Sequence, residues 1–246
     1  MNPSFEASGF QLETTKDGSP TLKLCTTHES MHHSGGAASE TWYIYGDMIA
    51  QAAESISQLK ICSVGLGLGY VEMASAIVMS KGFSFTLDSF ETVPQFKLLF
   101  KHWIAQSSDF GSPHKAACDH LLRLKKSTLT TEKVRDRLGS MDFSFHDDVT
   151  EATTAKTWNV ICFDAFSSKT SAKLWTPEFL KNFLDSHASE QCVFSTYAST
   201  RNLKEALQVA GFTLLHRDGF SGKRESTLAV RGETMLRAFQ TFSHSR

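Results

Sequence analysis

One stretch limits what this chain can fold into more than any other: "KICSVGLGLGYVEMASAIVMSKG", residues 60–82. An apolar run stops at three alternating glycines and resumes with the spacing of an amphipathic helix, which predicts a strand, a tight turn and a helix. Gly65 suits the turn itself, Gly67 lets backbone approach a ligand, and Gly69 permits close packing of the following helix. The spacing is GxGxG. It lacks the GxxxxGK[ST] arrangement that cradles phosphates, and its third glycine comes one residue early for the GxGxxG pyrophosphate fingerprint, so a diphosphate ligand is disfavoured. A tight turn without a ligand is the competing reading of so short a motif.

The surrounding pattern turns the motif into a fold class. From residue 60 onward, "KICSVG", "FSFTLDSF", "DFSFHD", "WNVICFDAF", "QCVFSTY", "FTLLHR" and "STLAV" read as strands, and helical stretches follow the glycines, Pro94, Thr176 and Asn202. Such alternation predicts an α/β fold whose parallel sheet is covered by helices on both faces. The polar stretch 107–140 reads as helical connections. Upstream, "GFQLETTKDGSPTLKLC" alternates on both sides of Asp17-Gly18 and predicts an N-terminal β-hairpin, and "ETWYIYGDMIAQAAESI" carries a helical pattern rich in aromatics. A length of 246 residues with 41% hydrophobic content fits one compact unit, divided here into a hairpin and covering segment, 1–58, and a sheet domain, 59–246.

Carboxylates fall where the strands of such a sheet open onto a ligand crevice. About twenty residues beyond the glycines, Asp88 and Glu91 compete as an acid that could accept two hydrogen bonds from ribose hydroxyls. Asp147 and Asp148 follow the next strand, where either can reach an adenine amino group or cap a helix. Asp164 ends "NVICFDAF" behind largely apolar residues, a place hard to explain as surface decoration.

These residues also carry a resemblance. The stretches "HESMHHSGGAASETWYIYG", "VGLGLGY", "SFETVP", "FHDDV", "ICFDAFSSKTSAKLWTPEFL" and "CVFSTYASTRNLKEALQVAGFTLLHRDGFSGKRE" resemble, in order, the methyltransferase domain of the MnmC family in stand-alone form. The resemblance implies a class I, Rossmann-like S-adenosylmethionine-dependent methyltransferase sheet with an N-terminal hairpin. It implies N-methylation of the aminomethyl group of the modified wobble uridine in the tRNA anticodon loop, with a separate enzyme supplying that aminomethyl group. By position it assigns Gly65, Gly67 and Gly69 to the cofactor loop, Glu91 rather than Asp88 to the ribose, Asp148 to the adenine side and Asp164 to the active site; Asp147 stays a further cofactor-binding candidate. The loop Ser167–Ala172 departs from the family's Ala-Pro-x-Lys-Asn-Pro.

An amine acceptor suits these residue types. Methyl transfer from a sulfonium needs a lone pair held in line, so orientation and exclusion of water dominate. A carboxylate such as Asp164 can bind the substrate ammonium and take its proton. Tyr197 is a second catalytic candidate, with a buried, satisfied hydroxyl as the alternative. Phe166 is expected at the cofactor and Trp175 at the substrate, although each could be core. Glu29, His33 and Tyr45 are expected as cofactor-pocket contacts, and Lys223 and Arg224 as substrate contacts, as are, less specifically, Lys125 and Lys126.

Other classes recede. The five cysteines form no CxxC pair, and Cys62, Cys162 and Cys192 sit in apolar runs, which speaks against disulfides and zinc. His28, His32 and His33 lack companion ligands at metal spacing, so no metal is expected. A net charge of -1 gives no support for nucleic acid by itself. Without a secretory h-region or a bilayer-length apolar run, the expected location is cytoplasmic, away from membranes. Two readings compete with tRNA methylation: methyl or aminopropyl transfer to a small amine, and a non-catalytic module that binds an adenosyl ligand. Basic residues at the crevice mouth would favour tRNA, and extra acids would favour a small amine.

Overall fold

The computed structural model describes residues 4–79, 82–105, 112–152, 156–222 and 225–242. The hairpin forms as its alternation predicts: β1 (Phe10–Thr14) pairs antiparallel with β2 (Pro20–Leu24), around a turn in which Gly18 takes φ 84°. Next comes a continuous helical stretch: α1 (Ala37–Thr41), a π turn (Trp42–Gly46) and α2 (Asp47–Ala53). α1 has no side-chain cap of its own. The hairpin supplies one: Ala37 N donates to Thr15 Oγ1 at 3.2 Å, Ala38 N to Ser19 Oγ at 3.0 Å and Ser39 N to Asp17 Oδ2 at 3.2 Å. Burial pushes the Asp17 carboxyl up, but hydrogen bonds from Ser19, Ser39 and Thr15 outweigh it and bring the pKa to about 2.

The sheet follows the alternation read from the sequence. In order come β3 (Gln58–Val64), α3 (Tyr70–Met79), β4 (Ser84–Phe90), α4 (Pro94–Ile104), α5 (Pro113–Leu124), α6 (Thr131–Ser140), β5 (Asp142–His146), β6 (Trp158–Phe163), α7 (Pro177–His187) and β7 (Ala188–Thr196). They are followed by α8 (Arg201–Val209), β8 (Thr213–Leu215), β9 (Thr227–Arg231) and α9 (Glu233–Ala238). Local chemistry sets several starts. Pro94, Pro113 and Pro177 occupy first-turn positions where no backbone donor is needed, and Thr176 and Thr200 cap α7 and α8 by accepting from Phe179 N and Leu203 N.

The strand order is β5-β4-β3-β6-β7-β9-β8. The first five are parallel, whereas β9 runs antiparallel to both β7 and β8. The sheet is thus mostly parallel, as the alternation predicts, and β9 is the departure from that pattern. A parallel return needs a crossover of a dozen or more residues, usually helical. Among the described residues the link from β8 to β9 holds one short 3-10 turn, Phe220–Gly222, and β9 comes back as a hairpin partner of β8 that slots beside β7.

Each face of the sheet has its own core. One gathers Phe10 and Leu22 of the hairpin, Trp42 and Ile44, and Phe96 and Phe100 of α4; the other gathers Phe163, Phe183, Phe194 and Leu207 under α7 and α8. The N-terminal segment therefore shares a core with the helices beside it. Strand order reverses between β3 and β6, and in an open α/β sheet the crevice at that reversal, beyond the carboxyl ends, is where ligands bind.

Candidate active site

A cavity of about 680 Å³ opens at this reversal. Its floor is the glycine turn. Gly65 N donates to Phe90 O at 2.9 Å, and Gly65 itself has φ 96°, with a side chain there placed 2.6 Å from the Asp164 carbonyl oxygen. Only glycine can bridge β3 and β6 so closely. Gly67 has φ 51° and lines the cavity; Gly69 does not line it but lets the turn sit on the Phe100 ring. From behind, His114 at the start of α5 donates Nδ1–H to Leu68 O at 3.1 Å. Burial lowers its pKa to about 4, so the ring is neutral.

Glu91 follows β4 directly and is 8% exposed. Its two oxygens accept from Val93 N at 2.8 Å and Gly67 N at 3.2 Å. Burial raises its proton affinity against the pull of these amides. A carboxylate has about four acceptor sites, so these amides leave acceptor capacity for a ligand. Asp88, the competing acid, lies elsewhere: buried in β4, it accepts from His146 Nε2 at 2.6 Å, Lys156 Nζ at 2.7 Å and Trp158 Nε1 at 2.8 Å. Asp147 and Asp148 both line the cavity. Asp147 pairs with Lys97, and Asp148 caps the 3-10 turn Val149–Glu151 by accepting from Thr150 N at 2.8 Å.

Asp164 follows β6, its backbone N donating to Val64 O at 2.8 Å, and lines the cavity. Tyr45, in the π turn, stands behind it and not in the lining; its hydroxyl donates to Asp164 Oδ1 at 2.7 Å. Burial, and then Asp164 itself, push the Tyr45 phenol well above its ordinary pKa, so it remains a donor. Tyr197, just past β7, lines the cavity and donates to Ala165 O at 2.8 Å; burial and Asp164 raise its pKa as well. Phe166 lines the cavity, whereas Trp175 is buried beside it and donates Nε1–H to Phe166 O at 2.6 Å.

A loop between β2 and α1 forms the remaining wall. Glu29 ties that loop to the segment after Asp164, accepting from Ser167 N at 2.9 Å and from Thr170 Oγ1. Burial opposes ionisation there, but these bonds hold its pKa below the ordinary value. His33 lines the cavity, and its backbone N donates to Glu40 Oε2 at 2.5 Å. Glu40 was not singled out in the sequence, yet a signal exists: it shares the buried face of α1 and the π turn after it with Ala37 and Ile44, an unusual place for an acid. His32 belongs to a different set of contacts, with Thr21 Oγ1 at 2.9 Å and the Tyr70 ring.

Lys223 and Arg224 lie outside the described residues. Lys125 is engaged with Asp47 and the Trp42 ring, and Lys126 lines a separate open depression between α5 and α6. Among the described residues, no group of three or more His, Cys, Asp or Glu side chains is placed to hold a metal. Among them, too, no helix is long and apolar enough to cross a membrane. The cavity thus combines a backbone floor, an acid presented beyond β4, and acids at Glu29, Glu40, Asp147, Asp148 and Asp164. Such a lining favours a ligand that carries hydroxyls and positive charge.

Comparison with known proteins agrees with this architecture. Residues 112–232 match a family described as S-adenosyl-L-methionine-dependent methyltransferase. The bifunctional protein MnmC of tRNA 5-methylaminomethyl-2-thiouridine biosynthesis from Burkholderia mallei is 38% identical over 85 residues, which cover 32% of this chain and 13% of that protein. The corresponding protein of Burkholderia pseudomallei matches equally. The match therefore spans a small part of these relatives' length. The crystal structure of MnmC2 from Aquifex aeolicus superposes with a TM-score of 0.62 at 20% identity, covering 90% of this chain and 69% of that one, which shows a shared fold.

Proposed function

We propose that this chain, whose residues 112–232 match the S-adenosyl-L-methionine-dependent methyltransferase family, methylates the aminomethyl nitrogen of a modified wobble uridine in tRNA. The observation that carries this reading is Asp164: a carboxylate beyond a buried strand, gripped by Tyr45 and open to an acid-lined cavity. The biosynthetic pathway in the names of the MnmC relatives supports the choice of acceptor. An upstream enzyme supplies the aminomethyl group.

The residues suit S-adenosylmethionine. Glu91 keeps acceptor capacity for ribose hydroxyls, the Gly65–Gly67 turn presents bare backbone to the cavity, and the surrounding acids suit a ligand with sulfonium and ammonium charges. Asp147 and Asp148 stand on the adenine side. When bound, the cofactor provides an electrophilic methyl group. The chain's own residues do the rest. Asp164 binds the substrate ammonium, fixes the nitrogen in line and accepts its proton. Tyr45 keeps Asp164 oriented, and Tyr197 with Phe166 walls the acceptor site and excludes water.

Mass spectrometry of tRNA nucleosides from cells lacking the protein tests this reading. Accumulation of unmethylated aminomethyl-uridine is expected, and an unchanged nucleoside profile overturns it. The acid lining also favours a second reading, transfer to a small polyamine. Salt separates the two. Binding of tRNA through phosphates weakens steeply between low and moderate salt while cofactor binding changes far less; a protein that binds polyamines and shows no salt-sensitive affinity for tRNA belongs to the second reading.

A further inference from the structure

The π turn that carries Tyr45 is held from beneath by a buried cation. Asp47 N donates to Trp42 O, the i→i+5 bond of a π turn, and such turns insert a residue that re-aims the side chains around them. Within this turn the Ile44 carbonyl faces the sheet, where it accepts from Ser195 Oγ at 2.6 Å and Arg217 Nη1 at 2.9 Å. Arg217, between β8 and β9, is 6% exposed. Its other bonds run from Nε to Ser226 Oγ at 2.7 Å and from Nη2 to Ser195 Oγ at 3.0 Å, Thr227 O at 2.9 Å and Thr196 O at 3.3 Å.

All five acceptors are neutral. Burial lowers the guanidinium's pKa to about 10, which still leaves it charged at neutral pH. A buried cation held by neutral acceptors and the nearby Tyr43 ring, with no carboxylate among its hydrogen-bond partners named above, is costly, and a hydrophobic residue of similar size would pack there without that cost. What Arg217 does beyond filling space is bridge the antiparallel β7–β9 pair to the one carbonyl next to Tyr45. Three chain segments far apart in sequence thereby meet in the placement of a single hydroxyl.

We infer that Arg217, assisted by Ser195, is a positioning residue for the acceptor site: it locks the π turn so that the Tyr45 hydroxyl stays on Asp164. The inference rests on the reading of Asp164 as the group that receives the substrate amine. Arg217 touches neither ligand. It acts through Ile44 and Tyr45.

The experiment combines a double-mutant cycle with hydrogen exchange. Arg217→Lys keeps a charge but cannot reach all five acceptors, and Ser195→Ala, a small buried change, serves where Arg217→Lys fails to fold. Each variant should lower kcat about tenfold at saturating cofactor, with cofactor affinity and KM little changed. Combined with Tyr45→Phe, the losses should be strongly non-additive, because both act on the same contact. Independently of turnover, amide exchange should quicken in the peptide covering the π turn and stay unchanged in β3 and α3. Additive losses, or exchange that quickens uniformly across the chain, would show a merely structural arginine and overturn the inference. If the parent protein shows no turnover on tRNA, the functional reading fails; the exchange pattern still decides whether Arg217 locks the turn.

Discussion

The wall of the cavity from Val64 to Glu91 comes from one stretch of sequence, and it is shaped by backbone: glycine dihedrals, a strand end, and two amides on one carboxylate. The facing wall gathers Glu29, Glu40, Asp164, Phe166 and Tyr197 from four places in the chain and is shaped by side chains. The Tyr45–Asp164 bond alone joins residues 119 apart. Backbone shaping tolerates little change at each position but needs few residues, which suits a cofactor. Side-chain shaping lets the acceptor change while the sheet stays the same.

If the walls are separable in this way, Asp164→Asn should strike only one of them. Methyl transfer to tRNA should fall by about a hundredfold or more at neutral pH, with partial recovery at high pH where free amine forms without a base. Cofactor affinity should stay within a few-fold. Single-turnover transfer equal to the parent would make Asp164 structural and erase the division.

A smaller effect lies behind the glycine turn. Glu72 of α3 is fully buried, with Oε1 accepting from Ser89 Oγ at 2.8 Å, and burial pushes its pKa up to about 7. Because the folded value is raised, its stabilisation is complete below the ordinary glutamate range and is lost as pH rises through 7. The parent should lose about 2 kcal/mol of stability from this group between pH 5 and pH 8. Glu72→Gln should flatten that slope in chemical denaturation. An equally steep slope in the variant would place the titration elsewhere.

Smallest is the effect of Gly67→Val, which touches the backbone wall alone. A side chain would come within 2.9 Å of Met31 Sδ, which can move aside; the φ of 51° is the greater obstacle for a β-branched residue. Calorimetric titration should show cofactor binding weakened about tenfold, near 1.4 kcal/mol. Unchanged affinity would put the cofactor on another surface.

Legibility in the sequence follows the same division. The glycine turn, β4 with Glu91 after it, and β6 with Asp164 after it each occupy a short local pattern, so strand ends and their acids could be read directly. The choice between Asp88 and Glu91 could not be made on spacing; it depends on His146, Lys156 and Trp158, which surround Asp88 from β5, from the start of β6 and from the residues just before it. The π turn left one trace, Gly46, where a side chain would meet the Trp42 ring at 2.7 Å. Nothing local said that Tyr45 would reach Asp164 instead of the cavity. The reversed β9 was hidden differently: its strand pattern was plain, but direction is set by the length of the connection before it.

The borrowed cap of α1 has a dynamic consequence. Its first amides are held by Thr15, Asp17 and Ser19, residues 19 to 22 positions upstream, so the helix cannot fray at that end while the hairpin stays docked. Hairpin, helix and π turn become one cooperative unit that opens together or not at all. The tyrosine that grips Asp164 thus stands on a turn whose helix is anchored from the hairpin, so whatever loosens the hairpin loosens that grip.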